Sequence, residues 1–336
     1  TSVPTGLTLN PNGTITVAAG TPSGTYTVTY QICENGATPA NCDTATATVV
    51  VANVIDAVND TPTAITSGDS TPSVIINDTL DGVAAVIGTN PGQVTLTGTT
   101  VPAGLTLNPN GTITVAAGTP SGTYTVTYQI CENGVTPANC DTATATVIVS
   151  NVIDAVNDTP TAITAGDSTP SVITNDTLDG VAAVIGTNPG QVTLTGTTVP
   201  TGLTLNPNGT ITVAAGTPSG TYTVTYQICE NGATPANCDT ATATVVVANV
   251  IDAVNDTPTA ITSGDSTPSV IINDTLDGAP VVIGTNPGQV TLTVTSVPTG
   301  LTLNPNGTIT VAAGTPSGTY TVTYQICENG ATPANC

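Results

Sequence analysis

Hydrophobic and polar residues alternate along this chain with a period of two, which is the pattern of β-strands that bury one face. In the clearest segment, Gly122–Cys131, one face carries Tyr124, Val126, Tyr128 and Ile130, and the other carries mainly threonines. No segment shows the 3.6-residue period of an amphipathic helix. The pattern therefore predicts an all-β protein with a core lined by these alternate apolar positions.

A second alternating segment, Asp141–Val149, predicts the partner of this strand. If Cys131 lies opposite Cys140, Tyr128 lies opposite Ala143. Large apolar side chains then meet small ones on the inner face, which is a favourable cross-strand arrangement. A disulfide and the hydrophobic pattern thus require the same register.

Further short segments predict the rest of a sandwich. Leu105–Leu107 and Ile113–Val115 flank a Pro-Asn-Gly turn, in which Gly111 takes the left-handed conformation. Four more strands are expected at Thr63–Thr66, Ser73–Ile76, Val83–Ile87 and Gln93–Thr99. Seven or eight short strands in about 98 residues match the size of an immunoglobulin-like β-sandwich.

The chain is a tandem array, because one Val-Pro motif recurs every 98 residues, at Val3, Val101, Val199 and Val297. The first 42 residues are identical to the last 42. Neither end resembles a natural terminus, and we expect a longer chain. The pattern predicts the C-terminal part of a repeat at 1–55, whole repeats at 56–153 and 154–251, and a repeat at 252–336 that stops before its last strand.

The amino-acid composition limits the classes of function that this chain can have. The chain has no Lys, Arg or His, and 22 acidic residues give a formal charge of −22. Nucleic acid is excluded as a partner, because binding to phosphates depends on basic side chains. No apolar run is long enough to enter a membrane. Without His or Lys the usual bases of nucleophilic catalysis are missing, so we expect no enzyme.

Eight cysteines form four pairs with eight residues between partners, which predicts a local disulfide in each repeat and an oxidising compartment. Since the cysteines fall on the threonine face, each bridge should close a hairpin outside the core. Redox activity is the alternative, but no cationic group is present to lower a thiol pKa. The pairs are Cys33 and Cys42, Cys131 and Cys140, Cys229 and Cys238, and Cys327 and Cys336.

The segments 101–115 and 122–131 resemble the tandem immunoglobulin-like and cadherin-like repeats of giant cell-surface adhesins in gliding Bacteroidetes. The resemblance covers the whole chain and implies an extracellular protein of the cell surface that serves adhesion or gliding motility. Gly122-Thr123-Tyr124 also resembles the tyrosine corner of sandwich domains, in which the tyrosine hydroxyl bonds to upstream backbone. A core aromatic is the simpler interpretation of Tyr124.

The junction 56–62, Asp-Ala-Val-Asn-Asp-Thr-Pro, is similar to the calcium-binding linker of cadherins, although it has an extra residue and lacks the partner glutamates. The resemblance implies one calcium ion per junction, held by two aspartates and an asparagine. An Asx turn before the proline is the alternative. The predicted ligands are Asp56, Asn59 and Asp60, then Asp154, Asn157 and Asp158, then Asp252, Asn255 and Asp256.

A second acidic segment, Asn77–Gly82, carries two carboxylates three residues apart. The segment is typical of a hairpin turn, because Asp-Gly is a common turn sequence. A calcium site and a catalytic carboxylate pair of a glycosidase are the alternatives. Asp-Thr triplets here and elsewhere resemble the O-glycan acceptor pattern of Bacteroidetes. The candidate acceptors are Thr44, Thr79, Thr142, Thr177, Thr240 and Thr275.

These observations predict a non-enzymatic extracellular fibre or stalk, the repetitive shaft of a bacterial surface adhesin or filament. Its partners would be cell-surface or substratum ligands bound by other parts of the protein, and it could self-assemble into filaments. The alternative is an array of modules that bind glycans or other cells through their loops. Nearly identical loops favour the shaft, since 132–139 and 230–237 differ at one position.

Overall fold

The computed structural model describes all residues, Thr1–Cys336. It consists of strands, turns and extended segments. None of it is a helix that is long and apolar enough to cross a lipid bilayer. Two compact units are present. The first comprises Thr1–Val152, Asn188–Gly190 and Asn231–Asn237, and the second comprises Ile153–Thr187, Gln191–Glu230 and Cys238–Cys336.

The first unit contains twelve strands, numbered in chain order. They are β1 Leu7–Leu9, β2 Ile15–Val17, β3 Gly24–Cys33, β4 Cys42–Val51, β5 Ile55–Asp56, β6 Thr79–Leu80, β7 Val83–Ala84, β8 Val94–Thr100, β9 Leu105–Leu107, β10 Ile113–Val115, β11 Gly122–Glu132 and β12 Cys140–Val149.

The main sheet of the second repeat has the order β12, β11, β8 and is antiparallel. Tyr128 lies opposite Ala143, and Cys131 lies opposite Cys140, so the predicted register is confirmed. The hairpin of β9 and β10 also has the expected pairing, with Leu107 opposite Ile113. The alternation of apolar and polar residues therefore predicted both strand pairings correctly.

The segment that opens the second repeat differs from the prediction. Thr63–Thr66 contributes an isolated parallel bridge at Ile65, and the strand expected at Val83–Ile87 is confined to β7. The predicted strand at Ser73–Ile76 is wrong, because 74–77 form a turn. The turn buries Val74 and leaves Ile76 76% exposed, so these apolar residues do not share a strand.

The core of the second repeat lies between the β12, β11, β8 sheet and the smaller elements. Val126, Tyr128 and Ile130 of β11 are fully buried. Ile32, the equivalent of Ile130 in the first repeat, is 68% exposed although the surrounding sequence is the same. The same local sequence is therefore buried in one repeat and exposed in another.

The second unit repeats the same elements. Its strands are β13 Ile153–Asp154, β14 Thr177–Leu178, β15 Val181–Ala182, β16 Val192–Thr198, β17 Leu203–Leu205, β18 Ile211–Val213, β19 Gly220–Glu230, β20 Cys238–Val247, β21 Ile251–Asp252, β22 Thr275–Leu276, β23 Ala279–Pro280, β24 Val290–Ser296, β25 Leu301–Leu303, β26 Ile309–Val311 and β27 Thr323–Glu328. The sheet β16, β19, β20 corresponds to that of the second repeat. The chain is thus an all-β tandem array of sandwich modules.

Candidate functional site

The structure joins the four predicted cysteine pairs by disulfides and contains no free cysteine. Each bridge closes the loop at the end of the long hairpin, as Cys131 and Cys140 do between β11 and β12. None of these cysteines belongs to a hydrophobic core cluster. The disulfides therefore clip hairpin ends and do not join two sheets.

A carboxylate in one such loop reaches the preceding repeat. Glu132 follows Cys131 and is 4% exposed. Ser23 of the first repeat donates its backbone N–H to Oε1 of Glu132 at 3.1 Å and its hydroxyl to Oε2 at 2.8 Å. The amide of Asn53 also donates to Oε1, at 2.5 Å. Three donors of the first repeat thus converge on one carboxylate of the second.

Asn139 completes the arrangement from the other side of the same loop. Its amide donates to Oε2 of Glu132 at 2.8 Å and to the backbone carbonyl of Asn53 at 3.2 Å. Ser23 and Asn53 are themselves joined, because the Asn53 backbone N–H donates to the Ser23 hydroxyl at 2.9 Å. We call these four residues, Glu132, Asn139, Ser23 and Asn53, the clasp.

The clasp keeps Glu132 ionised despite its burial. Burial raises the pKa of Glu132, but hydrogen bonds from Asn139, Ser23 and Asn53 lower it, and their combined effect is larger. The pKa of this carboxyl therefore lies below its ordinary value. In a chain without Lys, Arg or His, neutral N–H and O–H groups provide the stabilisation that a cation often supplies.

The same geometry recurs within the second unit. Glu328 accepts from the backbone N–H of Ser219 at 3.2 Å and from its hydroxyl at 2.7 Å. Asn249 and Asn335 donate to the same carboxylate at 2.6 and 2.8 Å. Two junctions between consecutive repeats, one in each unit, are therefore built on the same four residue types.

A different acidic cluster lies inside the second repeat, around the hydroxyl of Tyr128. Oδ2 of Asp60 lies 3.1 Å from this hydroxyl, and both carboxylate oxygens of Asp78 lie 3.2 Å away. The backbone carbonyls of Val58 and Val74 lie at 3.1 and 3.0 Å. Five acceptor oxygens thus surround a hydroxyl that has a single proton to donate.

The pKa values reflect this shortage of donors. Burial, together with the nearby charge of Asp78, raises the pKa of Asp60 to about 6, against the lowering effect of hydrogen bonds from Tyr128 and Asn77. Burial likewise raises the pKa of Asp78, although the Val58 backbone N–H donates to it at 2.7 Å. The pKa of Tyr128 is raised by burial and by both carboxylates, so its hydroxyl stays protonated.

The cluster is present again in the later repeats. Tyr226 donates toward Asp158 at 3.0 Å and toward Asp176 at 3.2 Å, and Oδ2 of Asp176 is buried without a hydrogen-bond partner. The hydroxyl of Tyr324 lies 3.2 Å from carboxylate oxygens of both Asp256 and Asp274.

Two of the predicted calcium ligands of the second repeat, Asn59 and Asp60, have hydrogen-bond partners within the protein. The side-chain carbonyl of Asn59 accepts from the backbone N–H and the hydroxyl of Thr144, at 2.8 and 3.0 Å, while Asp60 faces Tyr128. Asn157 is held by Thr242 in the same way. Asp56 lies in β5, opposite Thr79. The structure contains no group of three or more Asp, Glu, Cys or His side chains placed to hold a metal ion, and calcium binding at these positions stays a prediction.

The candidate glycan acceptors fall into two structural classes. Thr44, Thr142 and Thr240 are exposed near the start of the last long strand of their repeats. Thr79, Thr177 and Thr275 are half-buried in short strands. Glycosylation at these positions stays a prediction.

The sequence identified Tyr124 as a candidate tyrosine corner but gave no direct indication of the clasp. The Tyr124 hydroxyl donates to the backbone carbonyl of Pro120 at 2.8 Å, which is a tyrosine corner. One feature of the sequence could have pointed to Glu132. It adjoins a disulfide cysteine in a chain without Lys, Arg or His, so a glutamate buried there would need several neutral hydrogen-bond donors. The role of Asp78 had no such signal, because the turn that places it beside Tyr128 was predicted as a strand.

No protein-family model matches the chain, and no curated protein matches it. Among solved structures, Drosophila N-cadherin EC1-4 is similar at 10% identity, over 98% of this chain and 87% of that one, with a TM-score of 0.24. Human CDH23 EC21-23 is 16% identical over 82% and 95%, with a TM-score of 0.24. An endo-fucoidan hydrolase of glycoside hydrolase family 107 is 13% identical over 74% and 38%, with a TM-score of 0.25. Such low TM-scores carry no functional information.

Proposed function

We propose that this chain is a non-enzymatic extracellular stalk, the repetitive shaft of a bacterial surface adhesin or filament that serves attachment or gliding. The clasp is the observation that carries the proposal. A buried carboxylate of one repeat is held by three donors of the preceding repeat, and the arrangement recurs at Glu328. A shaft needs junctions that resist bending, and the clasp supplies a specific contact for that purpose.

The energetics favour an ordered junction. A hydrogen bond to a charged group contributes about 1.5–3 kcal/mol, whereas a buried carboxylate left without donors is strongly unfavourable. Separating the two repeats would take three donors from Glu132 and return the carboxylate to water. Since no Lys or Arg takes part, the contact should also be insensitive to salt.

The clasp also weakens the alternative of a loop-based ligand-binding array. Such an array would use the loop 132–139, which is nearly identical between repeats. In the first unit Glu132 and Asn139 of that loop are already committed to the preceding repeat. Ligand recognition would then fall to other parts of the protein, as expected for a shaft.

Calcium has no assigned part in this proposal. The residues that resemble a cadherin linker lie within the repeat, where Asn59 and Asp60 bind Thr144 and Tyr128. We infer that order at the junction comes from the clasp. Extracellular placement is supported by the four disulfides, which persist in oxidising compartments.

The test replaces Glu132 by Gln in the full chain. The amide NH₂ of Gln would face the donors of Ser23 and Asn53, so the junction should lose about 2 kcal/mol of interaction free energy. Spin labels at the exposed positions Thr8 and Ala84, introduced as non-canonical residues, report the distance distribution across this junction. E132Q should broaden it in calcium and in chelator alike.

Glu34→Gln is the matched control. Glu34 occupies the same loop in the first repeat, is exposed, and accepts a side-chain hydrogen bond from Asn41, the equivalent of Asn139. E34Q should leave the distance distribution unchanged. A distribution that E132Q does not alter, or one that narrows when calcium is added, would contradict the proposal.

A further inference from the structure

The disulfide of the second repeat lies directly beside the two residues that its loop contributes to the clasp. Cys131 precedes Glu132, and Asn139 precedes Cys140. The two cysteines are paired across the hairpin and bonded to each other. The Glu132 backbone N–H donates to the Asn139 carbonyl at 2.9 Å. The bridge therefore fixes the base of the loop at the point where both side chains leave the backbone.

The first repeat shows the same loop with its glutamate exposed. Glu34 is exposed, yet Asn41 still donates to its Oε2 at 3.0 Å, as Asn139 does to Glu132 at 2.8 Å. The Cys33–Cys42 disulfide closes the loop in the same way. The Glu–Asn pair thus forms both where the glutamate is exposed and where it receives donors from another repeat.

From this preformed geometry we infer that the disulfide is a positioning element of the clasp. It holds the glutamate and asparagine in their docked arrangement, so that docking immobilises few additional side chains. Breaking the bridge should loosen the junction while the repeats stay folded. The inference rests on the proposed function, since positioning the loop matters only if the clasp orders the junction.

The sandwich itself does not depend on the sulfurs. Neither Cys131 nor Cys140 belongs to the core cluster, which contains Val126, Tyr128 and Ile130 of the same strand. Strands β11 and β12 are paired along their whole length, from Gly122 to Cys131. Removing the bridge should therefore act first on the loop beyond the last strand pair.

The Cys131–Cys140 bridge can also be broken chemically, by reduction with a dithiol. One thiolate of the dithiol attacks a protein sulfur, the S–S bond breaks, and a mixed disulfide forms. The second dithiol sulfur then displaces the protein sulfur. The reagent leaves as a cyclic disulfide, and Cys131 and Cys140 each take up a proton as thiols. Two electrons pass from the dithiol to the protein.

The experiment uses the full chain with the double substitution Cys131→Ser and Cys140→Ser. The spin-label distribution across the junction should show the docked population falling about fivefold, the effect of releasing two side chains. A ¹³C-detected titration should show the pKa of Glu132 returning toward its ordinary value. Adding E132Q to this variant should have little further effect on the junction.

Cys33→Ser with Cys42→Ser is the matched control, because Glu34 of that loop is exposed whereas Glu132 is buried. It should change neither readout. If C131S/C140S leaves the distribution and the Glu132 titration unchanged while E132Q broadens the distribution, the positioning role is wrong and the proposed function stands. If E132Q has no effect either, the proposed function itself fails. Unfolding of the second repeat in C131S/C140S, seen as lost amide protection in β11, would also overturn the inference.

Discussion

The clasp and the Tyr128 cluster bury carboxylates in the same repeat, yet the pKa of Glu132 is lowered while those of Asp60 and Asp78 are raised. The difference lies in the number of donors. Glu132 receives hydrogen bonds from three side chains and one backbone N–H, whereas Asp60 and Asp78 share the one proton of Tyr128 and otherwise accept from the Asn77 side chain and the Val58 backbone N–H, respectively. Burial alone therefore does not set the charge state.

Two functions follow from this contrast. A carboxylate with enough donors is a stable contact and suits a junction that must hold at any ordinary pH. The Asp60 and Asp78 carboxylates, which have fewer donors, destabilise the repeat when both are ionised. Protonation of one of them removes this destabilisation. Removing the charge of Glu132 should weaken the junction, and removing the Tyr128 hydroxyl should lower the stability of the repeat.

The largest effect is expected from Tyr128→Phe. It removes the one hydroxyl proton shared by Asp60 and Asp78, and leaves two buried carboxylates facing each other without it. The free energy of unfolding of the second repeat should fall by about 2–4 kcal/mol. Amide exchange in β11, followed by mass spectrometry in increasing denaturant, reports on this repeat specifically.

Tyr30→Phe provides the control for this substitution. Tyr30 has the same local sequence but is half-buried, whereas Tyr128 is fully buried with its hydroxyl beside Asp60 and Asp78. Y30F should change stability much less than Y128F. Equal effects of the two substitutions would mean that Tyr128 acts through packing and not through the carboxylates.

An intermediate effect is expected from pH. The pKa of Asp60 is about 6 in the folded repeat and 3.8 ordinarily, so between these values the folded state binds more protons than the unfolded chain. The free energy of unfolding should therefore decrease as the pH rises from about 4 to about 6. Allowing for solvent screening at this half-buried carboxyl, the decrease should be about 1 kcal/mol.

Glu132 should show the opposite sign. Its lowered pKa contributes stability at pH values above its ordinary 4.5, and this contribution is lost as the pH falls below that value. Urea midpoints at several pH values separate the two effects. Asp60→Asn should flatten the change between pH 4 and 6, and E132Q should leave it in place. A D60N variant that keeps the full pH dependence would disprove the assignment to Asp60.

The two sites also differ in how far the sequence could predict them. Alternation identified the register of β11 and β12, because ten consecutive pairs obey one rule. Alternation could not show whether another segment packs on the apolar face of a strand. Ile32 and Ile130 share a local sequence, yet Ile32 is 68% exposed and Ile130 is 0% exposed. The clasp and the cluster depend on such coverage, from another repeat at Glu132 and from the 74–77 turn at Asp78.

The smallest effect concerns Asn59, which the cadherin resemblance assigns to calcium and the structure assigns to Thr144. Asn59→Ala removes the acceptor for the Thr144 backbone N–H and hydroxyl, both at an exposed site. The free energy of unfolding should fall by about 0.5–1 kcal/mol, by the same amount in calcium and in chelator. Asn59→Asp keeps an acceptor oxygen and should lose less. If instead N59A abolishes a calcium-dependent rise in stability, Asn59 is a metal ligand, and the segment 56–60 rearranges around the ion.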